Sequence, residues 1–347
     1  MMVERLKDIL RQTKDNIIIS DAFTKAVSVL NKNKDKTIIC SVSGGSDSDI
    51  MMDIIEKVKG NIDVKYIWFD TGLEYKATKE HIKYLENKYN VTIERARAIK
   101  AIPNCCKEYG QPFLSKYVSD QIDRLQKHNF KWEDKTYEEL QREYPLCKDS
   151  IKWWCNKYTE ENNFDNVSRF DIGYNKYLKE FLIKNPPSFK ISNQCCNWAK
   201  KKVAHKIEKE YKKVLHIIGI RQAEGVIRST MYKNCYSDNG DKLNYRPIFW
   251  FKNSDKEEYE YKFKIKHSAC YSKYGFKRTG CCCCPYGKEL DQELDAIRKY
   301  EPNLYKAINN IFGKSYEYTR QYRKFCERKK QEEKLNGQMT LFDYMEK

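Results

Sequence analysis

Ser43, Gly44, Gly45, Ser46, Asp47 and Ser48 follow a short, β-branched apolar run and precede a stretch with helical spacing. A strand, a glycine turn and a helix start aim successive backbone N–H groups and the positive end of the helix at one point, where an anion belongs. Gly44 and Gly45 permit close backbone approach. The hydroxyls of Ser43 and Ser48 can donate to phosphate oxygens, and Asp47 can cap the helix or hold a metal or a backbone amide. The plain alternative is an ordinary strand-to-helix turn, and its place after the first parallel strand favours a phosphate site.

A second set of chemically capable residues is made of thiols. Cys195 and Cys196 are adjacent, and Cys281, Cys282, Cys283 and Cys284 stand in a row before Pro285, with Cys281 and Cys284 in CxxC spacing. That spacing suggests a metal. Neighbouring side chains diverge on a helix or a strand, so an adjacent pair serves one tetrahedral zinc poorly, whereas a cubane cluster offers each thiolate its own iron. A cluster, zinc and buried inert thiols are the three readings. Cys282, Cys283, Cys105, Cys106, Cys147 and Cys155 are surplus and read as packing residues, with one sharper role open: a thiol near the cluster that carries a persulfide or attacks an activated substrate.

These residues need a scaffold. Residues 37–42 (TIICSV) read as a buried strand ending in the glycine loop, residues 49–58 as a helix, 64–69 (VKYIWF) as a strand ending at Asp70-Thr71-Gly72, 76–88 as a helix and 91–95 as a strand. Such alternation predicts an α/β fold, a doubly wound parallel sheet with ligands at the carboxyl ends of its strands. Residues 1–33 read as a helical attachment. Residues 34–240 read as the nucleotide-binding domain, interrupted by a helical insertion at about 110–189 that Pro186 and Pro187 close. The sheet resumes at 214–220, and a further strand is expected at 245–250. Residues 241–347 read as a cysteine-rich segment followed by basic helices, on which Arg320, Arg323, Lys324 and Arg328 oppose Tyr318, Tyr322 and Phe325.

Composition sets the class. Hydrophobic residues at 40%, 26 tyrosines and no low-complexity tract describe a folded chain rather than a disordered one. No apolar run is long enough to span a bilayer and the charged first residues lack a signal-peptide core, so the expectation is a cytoplasmic protein with no membrane partner. Fourteen cysteines in 347 residues are too few for a disulfide scaffold, which favours metal or thiol chemistry in a reducing compartment. The net charge of +17 favours polyanions, either nucleic acid or a phosphate-rich substrate, against the plain reading of solubility.

The SGGSDS loop resembles the PP-loop, SGGxDS, of N-type ATP pyrophosphatases and phosphoadenosine phosphosulfate (PAPS) reductases. Phe69 to Tyr75 with Thr78 resembles that family's DTG segment, and Gly219-Ile220-Arg221-Gln222-Ala223-Glu224 with Arg228 resembles its GxRxxE and arginine segment. Ser46 stands where many relatives carry lysine. The resemblance implies an adenine nucleotide α-hydrolase-like fold and a nucleotide site of Ser43, Gly44, Gly45, Asp47, Ser48, Asp70, Gly72, Arg221 and Arg228, the arginines holding phosphate or sulfate with a planar fork. The CC and CxxC cysteines are similar to the ligands of cluster-bearing APS reductases, and residues 275–285 resemble the GxxRxGCxxCP segment of DndC-like and phage-type members. This implies a 4Fe-4S cluster on Cys195, Cys196, Cys281 and Cys284, with zinc second. The implied activity is ATP pyrophosphatase chemistry with Mg2+, adenylating an acceptor such as a nucleic acid for sulfur transfer from a donor protein. Two other readings are PAPS or APS reduction to sulfite, weakened because the reductases' C-terminal ECGxH nucleophile segment has no counterpart, and a nucleotide-sensing, nucleic-acid-binding regulator.

Overall fold

The computed structural model describes residues 2–159, 167–211, 213–240 and 242–345, leaving aside the side chains of 2, 3, 226–228 and 336–345. Six strands form one sheet: β1 (Thr37–Val42), β2 (Lys65–Asp70), β3 (Ile93–Arg97), β4 (Val214–Ile218), β5 (Tyr236–Asp238) and β6 (Lys242–Tyr245), in the order β3-β2-β1-β4-β6-β5. All neighbouring pairs are parallel except β5 with β6. The strand order reverses where β4 pairs with β1, with Cys40 opposite Ile217 and Ser41 opposite Ile218. The connections leaving those two strands therefore part in opposite directions and leave a crevice at their carboxyl ends.

The alternation of side chains along β1 explains the two covered faces. Ile38, Cys40 and Val42 point into a core shared with the helices Ile17–Lys32, Ser46–Val58, Lys76–Tyr89 and Asn253–Phe263, while Ile39 packs with Ile67, Val203, Ile207 and Val214 on the side of the helix Lys202–Glu210. Of the strand expected at 245–250 only Tyr245 is extended, as the last residue of β6 in the β5–β6 hairpin, and residues 246–250 turn out of the sheet. Pro247 lacks a ladder donor, and the Phe249 N–H turns back to the Arg246 carbonyl at 3.1 Å.

The chain divides into two compact units. The first, residues 1–102, 197–282 and 291–304, holds the sheet. The second, residues 103–196, 283–290 and 305–347, is helical and centres on aromatic side chains. In the second unit Phe181 lies 5.0, 5.2 and 5.6 Å from the rings of Tyr318, Tyr322 and Phe325, three buried residues of the helix Pro302–Met345. Arg320, Lys324 and Arg328 of that helix are exposed and Arg323 is half-buried. No helix among the described residues is long and apolar enough to cross a membrane.

Under the sheet of the first unit one buried carboxylate ties three helices together. Asp53 accepts from the hydroxyls of Tyr89 and Tyr259, each at 2.7 Å, and from the Lys57 ammonium. Removing the shared acceptor strands two hydroxyls and a cation, so Asp53→Ala is expected to destabilise the protein by about 3–5 kcal/mol, and Tyr259→Phe by about 1 kcal/mol. Urea unfolding followed by circular dichroism measures both.

Candidate functional site

At the carboxyl end of β1 the chain turns through Ser43, Gly44 and Gly45 into the helix Ser46–Val58. Gly44 has φ +69°, and an added Cβ would meet Thr78 Cγ2 at 3.1 Å, so the turn is built for glycine there. The loop stiffens itself: the Ser43 N–H donates to Ser48 Oγ at 2.9 Å and the Gly45 N–H to Ser43 Oγ at 3.2 Å. The Ser46 N–H donates to the hydroxyl of Tyr271 at 3.0 Å.

A cavity of about 370 Å³ opens over this helix start, lined by Ser43, Gly45, Ser46, Asp47 and Ser48 of the loop together with Arg221 and Lys256. Glu224, Tyr271, Lys277, Arg278 and Thr279 close its outer side. Arg221 is buried just past β4; its Nε donates to Asp47 Oδ1 at 3.0 Å and its Nη1 to Asn253 Oδ1 at 3.0 Å. Lys256, on the helix Asn253–Phe263, donates to the same Asp47 oxygen at 2.8 Å and to Ser46 Oγ. Burial opposes ionisation of Asp47, but the Lys256 ammonium and the Arg221 guanidinium outweigh it and hold the carboxyl below its ordinary value. A stable carboxylate thus fixes two cations beside the helix N-terminus. Lys256 escaped the sequence reading because no local pattern distinguishes it among 66 lysines and arginines.

Other residues singled out in the sequence do not line this cavity. Asp70 is buried at the end of β2, where its Oδ1 accepts the Gly72 N–H at 2.9 Å and Arg95 binds its other oxygen. Gly72 turns the chain at φ +79°. Arg228 falls in the helix Val226–Met231, and its side chain lies outside the described residues.

One turn into the loop helix, Asp49 is buried between two imidazoles. Its Oδ2 lies 3.0 Å from His81 Nε2 and 2.7 Å from His267 Nδ1, and His267 Nε2 lies 2.9 Å from Glu260 Oε1. Burial disfavours the charged ring of His267, but the two carboxylates outweigh it and lift the pKa to about 9.

The thiols fall into both units. Cys281 and Cys282 belong to the first, where the Cys282 N–H donates to the Leu73 carbonyl at 3.0 Å. In the second unit Cys106 is hydrogen-bonded to Cys195; that bond, with burial and the charges of Cys106 and Cys284, pushes the Cys195 thiol well above its ordinary value, while a hydrogen bond from Cys196 opposes the shift. The half-buried Tyr286 lies within electrostatic range of Cys195, Cys196 and Cys284. Cys283 is buried with φ +41°, and its carbonyl accepts from Tyr316 at 2.7 Å. Among the described residues no group of three or more His, Cys, Asp and Glu side chains is arranged to hold one metal ion.

Residues 37–133 match the family model of the phosphoadenosine phosphosulfate reductase domain. The chain is 25% identical over 309 residues to the uncharacterized protein MJ0973 of Methanocaldococcus jannaschii, covering 87% of this chain and 55% of that protein. It is also 25% identical over 277 residues to the uncharacterized protein MJ0066 of the same organism, covering 80% of this chain and 41% of that protein. The chain thus spans about half the length of these curated relatives. Among solved structures, the PAPS reductase of Candida auris in a phosphate complex superposes with a TM-score of 0.37 at 11% identity, over 71% of this chain and 81% of that one.

His267 carries a pH signature. A folded-state pKa raised to about 9 stabilises the protein fully below the unfolded value of about 6.5, and that stability is lost as pH rises through 9. Unfolding free energy is expected to fall between these limits by on the order of 2 kcal/mol, allowing for the ring's remaining solvent access. His267→Gln should flatten that slope in urea titrations at pH 6 and pH 9.5; an unchanged slope would assign the dependence to another group.

Proposed function

We propose that this chain, a member of the PAPS reductase and PP-loop superfamily through residues 37–133, binds an adenine nucleotide by its phosphates in the loop cavity and acts as an ATP pyrophosphatase that adenylates an acceptor for sulfur transfer. The observation that carries the reading is the convergence of Arg221 and Lys256 on Asp47 at the helix start, in a cavity that Lys277 and Arg278 also line. Lys256 supplies an ammonium beside position 46, where many relatives of the PP-loop kind carry a lysine of their own. In the proposed reaction the acceptor's nucleophilic atom forms a bond to the α-phosphorus as the bond to the pyrophosphate oxygen breaks. The loop N–H groups, Lys256 and Arg221 stabilise the charge that gathers on the leaving group. Mg2+, where bound with the nucleotide, would neutralise phosphate charge. Among the described residues no cysteine lines this cavity, so the reductase reading gains no nucleophile from it.

The 4Fe-4S assignment to Cys195, Cys196, Cys281 and Cys284 belongs to the same proposal. Its support is the donor set. The Cys106 hydrogen bond and burial, with the charges of Cys106 and Cys284, raise the pKa of Cys195, and a thiol so placed resists ionisation until soft cations compensate the charge. A single ion needs donors that converge on one point, whereas a cubane gives each thiolate its own iron. When bound, such a cluster would supply electron transfer or a site for sulfur.

Two measurements test the proposal. Gly45→Val places methyl groups where an added Cβ already meets Thr279 Oγ1 at 3.1 Å and Ser43 Oγ at 3.2 Å, in an extended conformation that valine accepts. It should abolish ATP binding, and Lys256→Ala should weaken it roughly tenfold to a hundredfold, as for a hydrogen bond to a charged group. Calorimetric affinities unchanged in both variants would remove the loop assignment, and binding without pyrophosphate release once acceptors are supplied would favour the regulator.

Protein purified without oxygen should carry about four irons per chain, lost in Cys196→Ser and Cys284→Ser but kept in Cys282→Ser and Cys283→Ser. Stoichiometric zinc in place of iron would sink the cluster.

A further inference from the structure

A larger cavity, of about 500 Å³, opens beside the β5–β6 hairpin, away from the loop residues. Its wall includes Tyr232, Asn234, Ser237, Asn239, Asn244 and Arg246. Arg246 is only 3% exposed. Its guanidinium carbon lies 4.1 Å from the centre of the Tyr232 ring, its Nη1 donates to the Asn234 carbonyl at 3.2 Å, and both terminal nitrogens lie at 3.4–3.5 Å from Ser237 Oγ. Its buried Nε has no hydrogen-bond partner, and among the described residues no carboxylate pairs with it.

A guanidinium stays ionised throughout the working pH range, so burial cannot be relieved by losing the proton. A buried cation held by neutral oxygens and one aromatic face is costly unless an anion completes its shell. The Nε is itself closed off from solvent, so an anion can reach this cation only through its terminal nitrogens, where the side chain lines the open cavity. The planar fork, with its unused donors, matches the spacing of phosphate or sulfate oxygens. Three asparagines around it offer both donors and acceptors to the rest of a ligand.

We infer that this cavity is a second anion site, which takes a phosphate- or sulfate-bearing small molecule with Arg246 as its counter-charge. No residue of the glycine loop lines this cavity, so it can be tested where the loop is closed. Inorganic sulfate and AMP are titrated calorimetrically into Gly45→Val protein and into the same protein carrying Arg246→Met. Binding with one equivalent per chain is expected in the first, weakened roughly tenfold to a hundredfold in the second. AMP tighter than sulfate assigns a nucleotide, and equal affinities assign the free ion; both outcomes require Arg246. Thermal unfolding is read in parallel, to separate loss of the anion site from damage to the hairpin by Arg246→Met. If the guanidinium awaits an anion, Arg246→Met without added anion should be no less stable than its parent, and sulfate should raise the melting temperature of the parent alone. Asn244→Asp, which adds negative charge to the wall, should also weaken sulfate. Sulfate binding retained in Arg246→Met, no binding in the parent, or a destabilised Arg246→Met with unaltered sulfate response would each overturn the site.

Discussion

Strand β4 lies directly against β1, and as it ends the backbone of Gly219 passes so close to the loop helix that an added Cβ would sit 3.0 Å from the Asp47 carbonyl oxygen and 3.2 Å from Ser48 Cα. Everything in the loop cavity depends on that approach. Two residues further on, Arg221 is delivered to the Asp47 carboxylate, and the same segment bonds the Gln222 N–H to the Phe249 carbonyl at 2.8 Å. A side chain at position 219 would push the β4 connection outward and withdraw the guanidinium from the helix start. The position of a long, flexible cation is thus set by backbone packing, which a rotamer change cannot undo.

The carboxylate between the two cations resolves an electrostatic difficulty. An acidic residue beside a phosphate site would repel the ligand, yet Asp47 is in the first turn of the helix, where negative charge is also favoured by the unpaired N–H groups. With Arg221 and Lys256 both bound to one of its oxygens, the cluster is net positive, and its cations are ordered before any anion arrives. Preorganisation of this kind lowers the entropy lost on binding. The Tyr271 hydroxyl, which accepts the Ser46 N–H, occupies an acceptor position that a phosphate oxygen could take over.

Legibility in the sequence followed the range of the interactions. Strand β1 is found where the unbroken run TIICSV places it, since a strand covered on both faces leaves a continuous apolar signal. Strands β2 and β3 lie one or two residues later than expected, within the usual fraying of such boundaries. The hairpin of β5 and β6 was overlooked because its strands are only three and four residues long, although Asn239 and Gly240 between them are a turn signal. Ser43 to Ser48 and Arg221 could be read because each adjoins a strand end. Lys256 and Tyr271 could not, because they reach the loop through tertiary packing from segments more than two hundred residues away. Arg246 was invisible for a different reason: only burial makes a lone arginine unusual, and burial is not written in its neighbours.

The chain that leaves β4 contributes to both the loop cavity and the Arg246 cavity. Gly219, Arg221 and Glu224 face the loop cavity, while Ile218 before them and Met231 after them line the Arg246 cavity. Met231 is well exposed although apolar, and the Glu224 N–H that closes the turn after Arg221 is held by a contact of 3.3 Å to the Arg221 carbonyl. A ligand that draws Arg221 toward a phosphate pulls on one end of this segment, and a ligand beside Met231 restrains the other. Coupling between two sites requires that each ligand prefer one arrangement of a shared element. Residues 219–231 are the element that both cavities share, so any communication between an anion at the loop and one at Arg246 has the shortest physical route through them.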